Sequence, residues 1–160
     1  MESLLIRPAE QADLEGFLSL ARAIGEGNGI WGEDPRMDFQ GYIRDMKEDR
    51  LTLLLAFVGK KEIVGFSVIK FYKRLDPSEY DPTSCTIGVA VHPDYRRRGI
   101  GTELIESGLR EARKRAIENA YTSTFIDNVA MQKLAEKLGF IKYAVIERDG
   151  LQFPRYKRKL

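Results

Sequence analysis

One cysteine, Cys85, one histidine, His92, and one tryptophan, Trp31, are all that 160 residues hold of these three types. A lone cysteine excludes an internal disulfide and fits a reducing compartment. No Ser-His-Asp or Cys-His constellation can be read, and no second ligand type clusters beside His92, so neither nucleophilic catalysis nor a metal is indicated. Long apolar runs are missing too. The longest is "LLLAFV" at residues 53–58, far short of a membrane span. The start, "MESLLIRPAE", lacks the basic and apolar regions of a signal peptide. Net charge is also scarce: 26 basic residues face 24 acidic ones, leaving +2. A generic nucleic-acid binder is usually far more basic. These absences predict a cytoplasmic protein without metal, membrane or nucleic-acid partner, while leaving room for a local basic site.

What is present is ordinary globular material, 43% hydrophobic and 31% charged. The length fits one domain over residues 1–160 and is enough to bury a core without staples. "SLLIRP" reads as a strand, and from Asp13 the apolar residues Leu14, Phe17, Leu18, Ala21 and Ile24 share a helical face. A glycine-rich loop (25–35) precedes a second helix over about 38–47. "LTLLLAFV" and "IVGFSVIKFY" read as a hairpin, followed by a polar loop (74–84) and the strand "CTIGVAV". The period turns helical from Gly99, "AYTSTFI" returns to strand, and "NVAMQKLAEKLGF" is a short helix with Gly139 just past its end. Two last strands flank Asp149-Gly150, a hairpin turn signal. The C-terminal "RYKRK" reads as an edge strand whose charges block aggregation. The fold class expected is α/β (α+β): a mixed, mostly antiparallel sheet of six to seven strands with four helices.

Chemistry concentrates in "VAVHPDYRRRGIGTELIE". A strand, a tight turn and a helix follow one another there. The first N–H groups of a helix lack partners within it, and the macrodipole adds positive character. Gly99 and Gly101 remove side chains that would hold an anion off the backbone, and Arg96, Arg97 and Arg98 add charge. The turn lacks Gly-Lys-Ser/Thr, so it is not a P-loop, and lacks the third glycine of a dinucleotide fingerprint.

This segment resembles the acetyl-CoA loop of the GNAT superfamily of N-acetyltransferases, whose pattern is Gln/Arg-x-x-Gly-x-Gly/Ala at a helix start. Arg96-Arg97-Arg98-Gly99-Ile100-Gly101 matches it, and the strand ending in Val-His-Pro matches its flank. Asn128, Leu134, Gly139 and Phe140 match a later helix of the family, and the resemblance covers essentially the whole chain. It implies acetyl-CoA as co-substrate and an amine as acceptor. Backbone amides of residues 97–102, including Ile100 and Thr102, would hold the pyrophosphate beside Arg96. Val89, Ala90 and Val91 would line the pantetheine in a gap between splayed strands, with Asn128 touching the arm. Many relatives dimerise, so a homodimer is also implied.

Two family groups are missing. The tyrosine that protonates the thiolate in many members falls at Ala135, and the glutamate base at Cys85. Tyr143 or Tyr121 is left as the acid. Glu33, Asp34, Glu79 or Asp81 is left as base or as a contact for a cationic amine, with Glu26, Asp76, Trp31 and Tyr80 in the same loops. The resemblance leaves several functions open: transfer to a small amine or peptide, transfer to protein lysines or N-termini (which Met131 and Ala135 in the later helix also fit), and non-catalytic acyl-CoA sensing. Nucleic-acid binding through the arginines ranks last.

Overall fold

The computed structural model describes residues 3–25, 34–59, 62–72 and 83–160. Seven strands, β1 (Leu4–Pro8), β2 (Leu51–Val58), β3 (Glu62–Phe71), β4 (Ser84–Val91), β5 (Asn119–Ser123), β6 (Ile141–Arg148) and β7 (Leu151–Lys159), form one sheet in the order β1-β2-β3-β4-β5-β7-β6. Every neighbouring pair is antiparallel except β4 and β5. Four α-helices accompany them: α1 (Leu14–Ile24), α2 (Pro35–Lys47), α3 (Ile100–Lys114) and α4 (Val129–Lys137). Mixed sheet, helix number and element order are as expected.

The apolar run of β2 follows from burial on both faces. Leu51, Leu53, Leu55 and Phe57 point to α1 and α2, where Phe17, Leu20, Phe39 and Ile43 meet them. Leu54 and Ala56 point the other way, toward Ile100, Leu104, Ile105 and Leu109 of α3. Phe17 sits at the centre of the first layer, 5.1 Å from the ring of Phe39 and 5.4 Å from that of Phe66. On the second face Gly65 lets α3 come close. A Cβ there would lie 3.0 Å from both the Ala90 carbonyl oxygen and a Leu104 methyl. Arg7 forks onto both carboxylate oxygens of Asp13 at 2.8 and 2.9 Å, tying β1 to the turn that starts α1.

Three local expectations are corrected. The second helix starts at Pro35, because the Asp34 side chain accepts from the Arg36 N–H at 2.9 Å and proline suits a first helical position. β5 ends at Ser123 rather than continuing through residue 126. The basic terminal strand is not an edge. β7 runs back between β5 and β6, in register from Asn119↔Lys159 to Ser123↔Arg155, and leaves β6 outside. The turn that sends it back uses Asp149 and Gly150 at φ 54° and 77°, both left-handed as the Asp-Gly signal requires.

Candidate functional site

β4 and β5 run side by side for three residue pairs only, from Ser84↔Asn119 to Thr86↔Tyr121. One further link closes the parallel stretch, where the Thr122 hydroxyl donates to the Ile87 carbonyl at 2.8 Å. Beyond it the strands part. β4 stays paired to β3 through Val91, and β5 turns to β7. Among the described residues, the β5-side edge of Gly88, Val89, Ala90 and Val91 has no strand ladder. Val89 and Val91 turn their side chains to the α3 core and Ala90 to the α1/α2 core, so the main chain is what borders the gap.

The gap ends at the start of α3. His92 closes β4, its Nδ1 accepting from the Asp94 N–H at 3.0 Å as the cap of a 3-10 turn (Pro93–Tyr95). This local role agrees with reading the histidine as a strand terminator. The loop then curls through two left-handed residues, Arg97 at φ 64° and Gly99 at φ 83°. Gly99 is the N-cap of α3 and offers no side-chain acceptor. The other long helix starts differ: Asp34 caps α2, and Asn128 caps α4 by accepting from the Met131 N–H at 3.1 Å. The first amides of α3 are thus left to whatever occupies the loop. A Cβ on Gly99 would meet open space, whereas one on Gly101 would stand 3.3 Å from a Leu134 methyl of α4. Only the first of the two glycines therefore answers a conformational need. The second lets α3 and α4 approach.

All three arginines are exposed. Arg96 folds back, its Nε donating to the Val91 carbonyl at 3.3 Å. Arg98 lies over the Tyr95 ring at 4.9 Å, and the Tyr95 hydroxyl donates to Glu62 at 2.9 Å.

The gap opens on the α1/α2 side of the sheet into a cleft of about 700 Å³. Its floor is Phe66, Val68 and Lys70 of β3, Thr86 and Gly88 of β4, and Tyr121 and Ser123 of β5. Its far wall comes from β6 and β7: Ile146, Arg148, Leu151, Phe153 and Arg155. Tyr42 of α2, Asn128 and Met131 complete it. Burial, with Asp38 nearby, pushes the Tyr42 hydroxyl up to about 12, so it stays a proton donor.

The expected residues of the loop, strand and asparagine thus converge on one gap. Of the weaker candidates, Tyr143 stands on β6, half exposed and edge-on to Tyr121 at 5.8 Å. It is outside the cleft lining, whereas Tyr121 is within it. Burial and then Tyr121 raise the Tyr143 hydroxyl above its ordinary range. Asp34 is engaged as a helix cap. Glu26, Trp31, Glu33, Asp76, Glu79, Tyr80 and Asp81 lie outside the described residues. Cys85 is fully buried, and burial pushes its thiol up to about 12, which makes it a small hydrophobe rather than a nucleophile. Lys70, Arg148 and Arg155 are the cleft residues that sequence reasoning missed. They come from three separated strands, and only sheet register brings them together.

Residues 17–140 match the model of the acetyltransferase (GNAT) family. The chain belongs to that family. The L-methionine sulfoximine/L-methionine sulfone acetyltransferase of Pseudomonas aeruginosa is 26% identical over 157 residues, covering 96% of this chain and 90% of that protein. The aminoglycoside N(6')-acetyltransferase type 1 of Acinetobacter haemolyticus is 24% identical over 135 residues, 84% of this chain and 89% of that one. A Salmonella typhimurium protein solved with its cofactor acetyl-CoA superposes with TM-score 0.79 at 20% identity, covering 98% of this chain and 93% of that one. GNAT members use acetyl-CoA, and this one is an acyltransferase. The four-helix, seven-strand architecture is the family's.

Proposed function

We propose that the protein transfers an acetyl group from acetyl-CoA to a primary amine of a small molecule or peptide, by direct attack within a ternary complex. The observation that carries this reading is the parting of β4 and β5 beside the uncapped start of α3. The gap suits a narrow chain, and the helix start suits a diphosphate. Amides of residues 97–102 hold the pyrophosphate, with the exposed Arg96, Arg97 and Arg98 adding long-range attraction. The open β4 edge at Val89, Ala90 and Val91 offers main-chain groups to the pantetheine. Asn128 spends its side-chain oxygen on Met131 and leaves its Nδ2 for the same arm.

Acetyl-CoA supplies the activated acyl carbon as a thioester. The residues here position it and handle protons. An N–H of the β4 edge polarises the carbonyl. Tyr121, one register row from the point of parting and backed by Tyr143, is the hydroxyl available to the leaving thiolate. With Cys85 buried and protonated, no acyl-enzyme is formed on it. Small acceptors are supported by the two curated relatives, which act on an amino-acid analogue and on aminoglycosides.

The test is a calorimetric titration with acetyl-CoA, wild type against Gly101→Glu. Micromolar binding that weakens at least ~100-fold in the variant, about 2.7 kcal/mol, is the expected result. Gly101→Ala is the control for fold, since its Cβ meets only a movable Leu134 methyl. Unchanged affinity in Gly101→Glu would remove the loop from the site.

A further inference from the structure

The chain as a whole is nearly neutral, yet the described lining of the cleft is not. It carries Lys70, Arg148 and Arg155 and no aspartate or glutamate. Lys70 and Arg155 flank the opening in the sheet. Lys70 is paired with Thr86, the last β4 residue in register with β5, and Arg155 with Ser123, where β5 has already parted from β4. Arg148 stands further along β6, across from Leu151. Among the described residues, neither Lys70 nor Arg148 belongs to an ion pair. Between and around these cations the walls are apolar: Phe66, Val68, Ile146 and Phe153.

The sequence alone directed attention to a cationic amine, on loop carboxylates outside the described residues. The described wall argues the other way. A polycation entering it meets like charge at three points, in a partly desolvated cleft where such repulsion is poorly screened. A carboxylate meets guanidinium groups that match it geometrically. The cations also help the reaction. Positive neighbours disfavour the ammonium form of an acceptor amine, so the neutral nucleophile is reached without the carboxylate base that Cys85 replaces.

We propose that the acceptor is a free α-amino acid with an apolar side chain, its carboxylate held by Lys70, Arg148 and Arg155 and its side chain lying on the Phe66/Ile146/Phe153 walls. The inference rests on the acetyltransferase reading above and names the substrate class of that same cleft. The amine nitrogen attacks the thioester carbonyl and a C–N bond forms. The C–S bond breaks, and the proton lost by the amine ends on the thiolate sulfur through water or Tyr121. The products are an N-acetyl amino acid and CoA thiol.

The experiment compares L-methionine, L-methioninamide and spermidine as acceptors, reading thiol release from acetyl-CoA, in wild type and in Arg148→Gln and Lys70→Gln. An acetyl-CoA titration is run beside it. The amide keeps the amine and side chain and removes only the negative charge. The expected kcat/KM is at least ~10-fold higher for the acid than for the amide, with spermidine lowest. Each substitution should lower that acid-to-amide ratio by about 5- to 50-fold, through KM for the acid. An amide or spermidine used as well as the acid overturns the inference and leaves the acetyltransferase reading intact. So does a panel with no acceptor used by protein that binds acetyl-CoA. A protein that does not bind acetyl-CoA sinks both.

Discussion

The two halves of the sheet are built to different rules. In β2 and β3 almost every residue is buried, because α1 and α2 cover one face and α3 the other. In β6 almost every residue is exposed, and Ile141 shows 73% of its surface. The first half is a framework whose apolar content is spent on packing. The second is a one-sided wall, whose α1/α2-side residues face the cleft. The seam between them is the parting of β4 and β5, and the family's chemistry is proposed to happen there. A rigid layer holds the donor while a lightly packed wall meets the acceptor, so acceptor preference can change without disturbing the core.

If the halves differ as described, the same kind of damage should have unequal consequences. Phe17→Ala in the first half removes a fully buried ring that touches Phe39 and Phe66. It should cost about 3–5 kcal/mol, whereas Ile141→Ser on the outer strand should stay within about 0.5 kcal/mol. Urea denaturation of both variants checks this, and equal losses would erase the distinction.

Alkaline pH attacks the same half. Burial raises Cys85 from 9.0, and Tyr42 from 10.0, each to about 12. The folded chain then keeps protons that the unfolded chain releases. Stability is therefore full below about pH 9 and declines between roughly 9 and 12, by up to ~1.4 kcal/mol per pH unit for each group. Cys85→Ala should flatten the lower part of that decline in a series of melts.

At the seam, Tyr121→Phe should lower kcat by about tenfold and leave KM for acetyl-CoA near its wild-type value, if the hydroxyl serves the departing thiolate. A fall in affinity with kcat intact would make it a wall residue only. The smallest expected effect is at Asn128. Asn128→Ala removes the α4 cap at about 1 kcal/mol, whereas Asn128→Asp keeps it. Acetyl-CoA affinity lost in both variants assigns the amide nitrogen to the cofactor arm. Affinity retained in Asn128→Asp leaves only the cap.

Local order was legible because it is written at short range. Helical and strand periods, the Asp149-Gly150 turn, and the Gly99-x-Gly101 start of α3 each depend on neighbours within a few residues. The second helix was entered late because the Asp34-Pro35 start signal sat at the end of a glycine-rich stretch. β7 was misplaced because strand order is a matter of which edge a returning hairpin finds, and alternation says nothing of that.

What the sequence determined by itself was the element order, the family and the loop at which an anion would bind, since each is carried by contiguous residues. Only the tertiary structure decided that β4 and β5 part after Thr86, that β7 lies inside β6, and that Lys70, Arg148 and Arg155 share one cleft. Residues from β3, β6 and β7, up to 85 positions apart in the chain, become neighbours only through sheet register. Register is set by the summed pairing and burial of whole strands, which no local pattern contains.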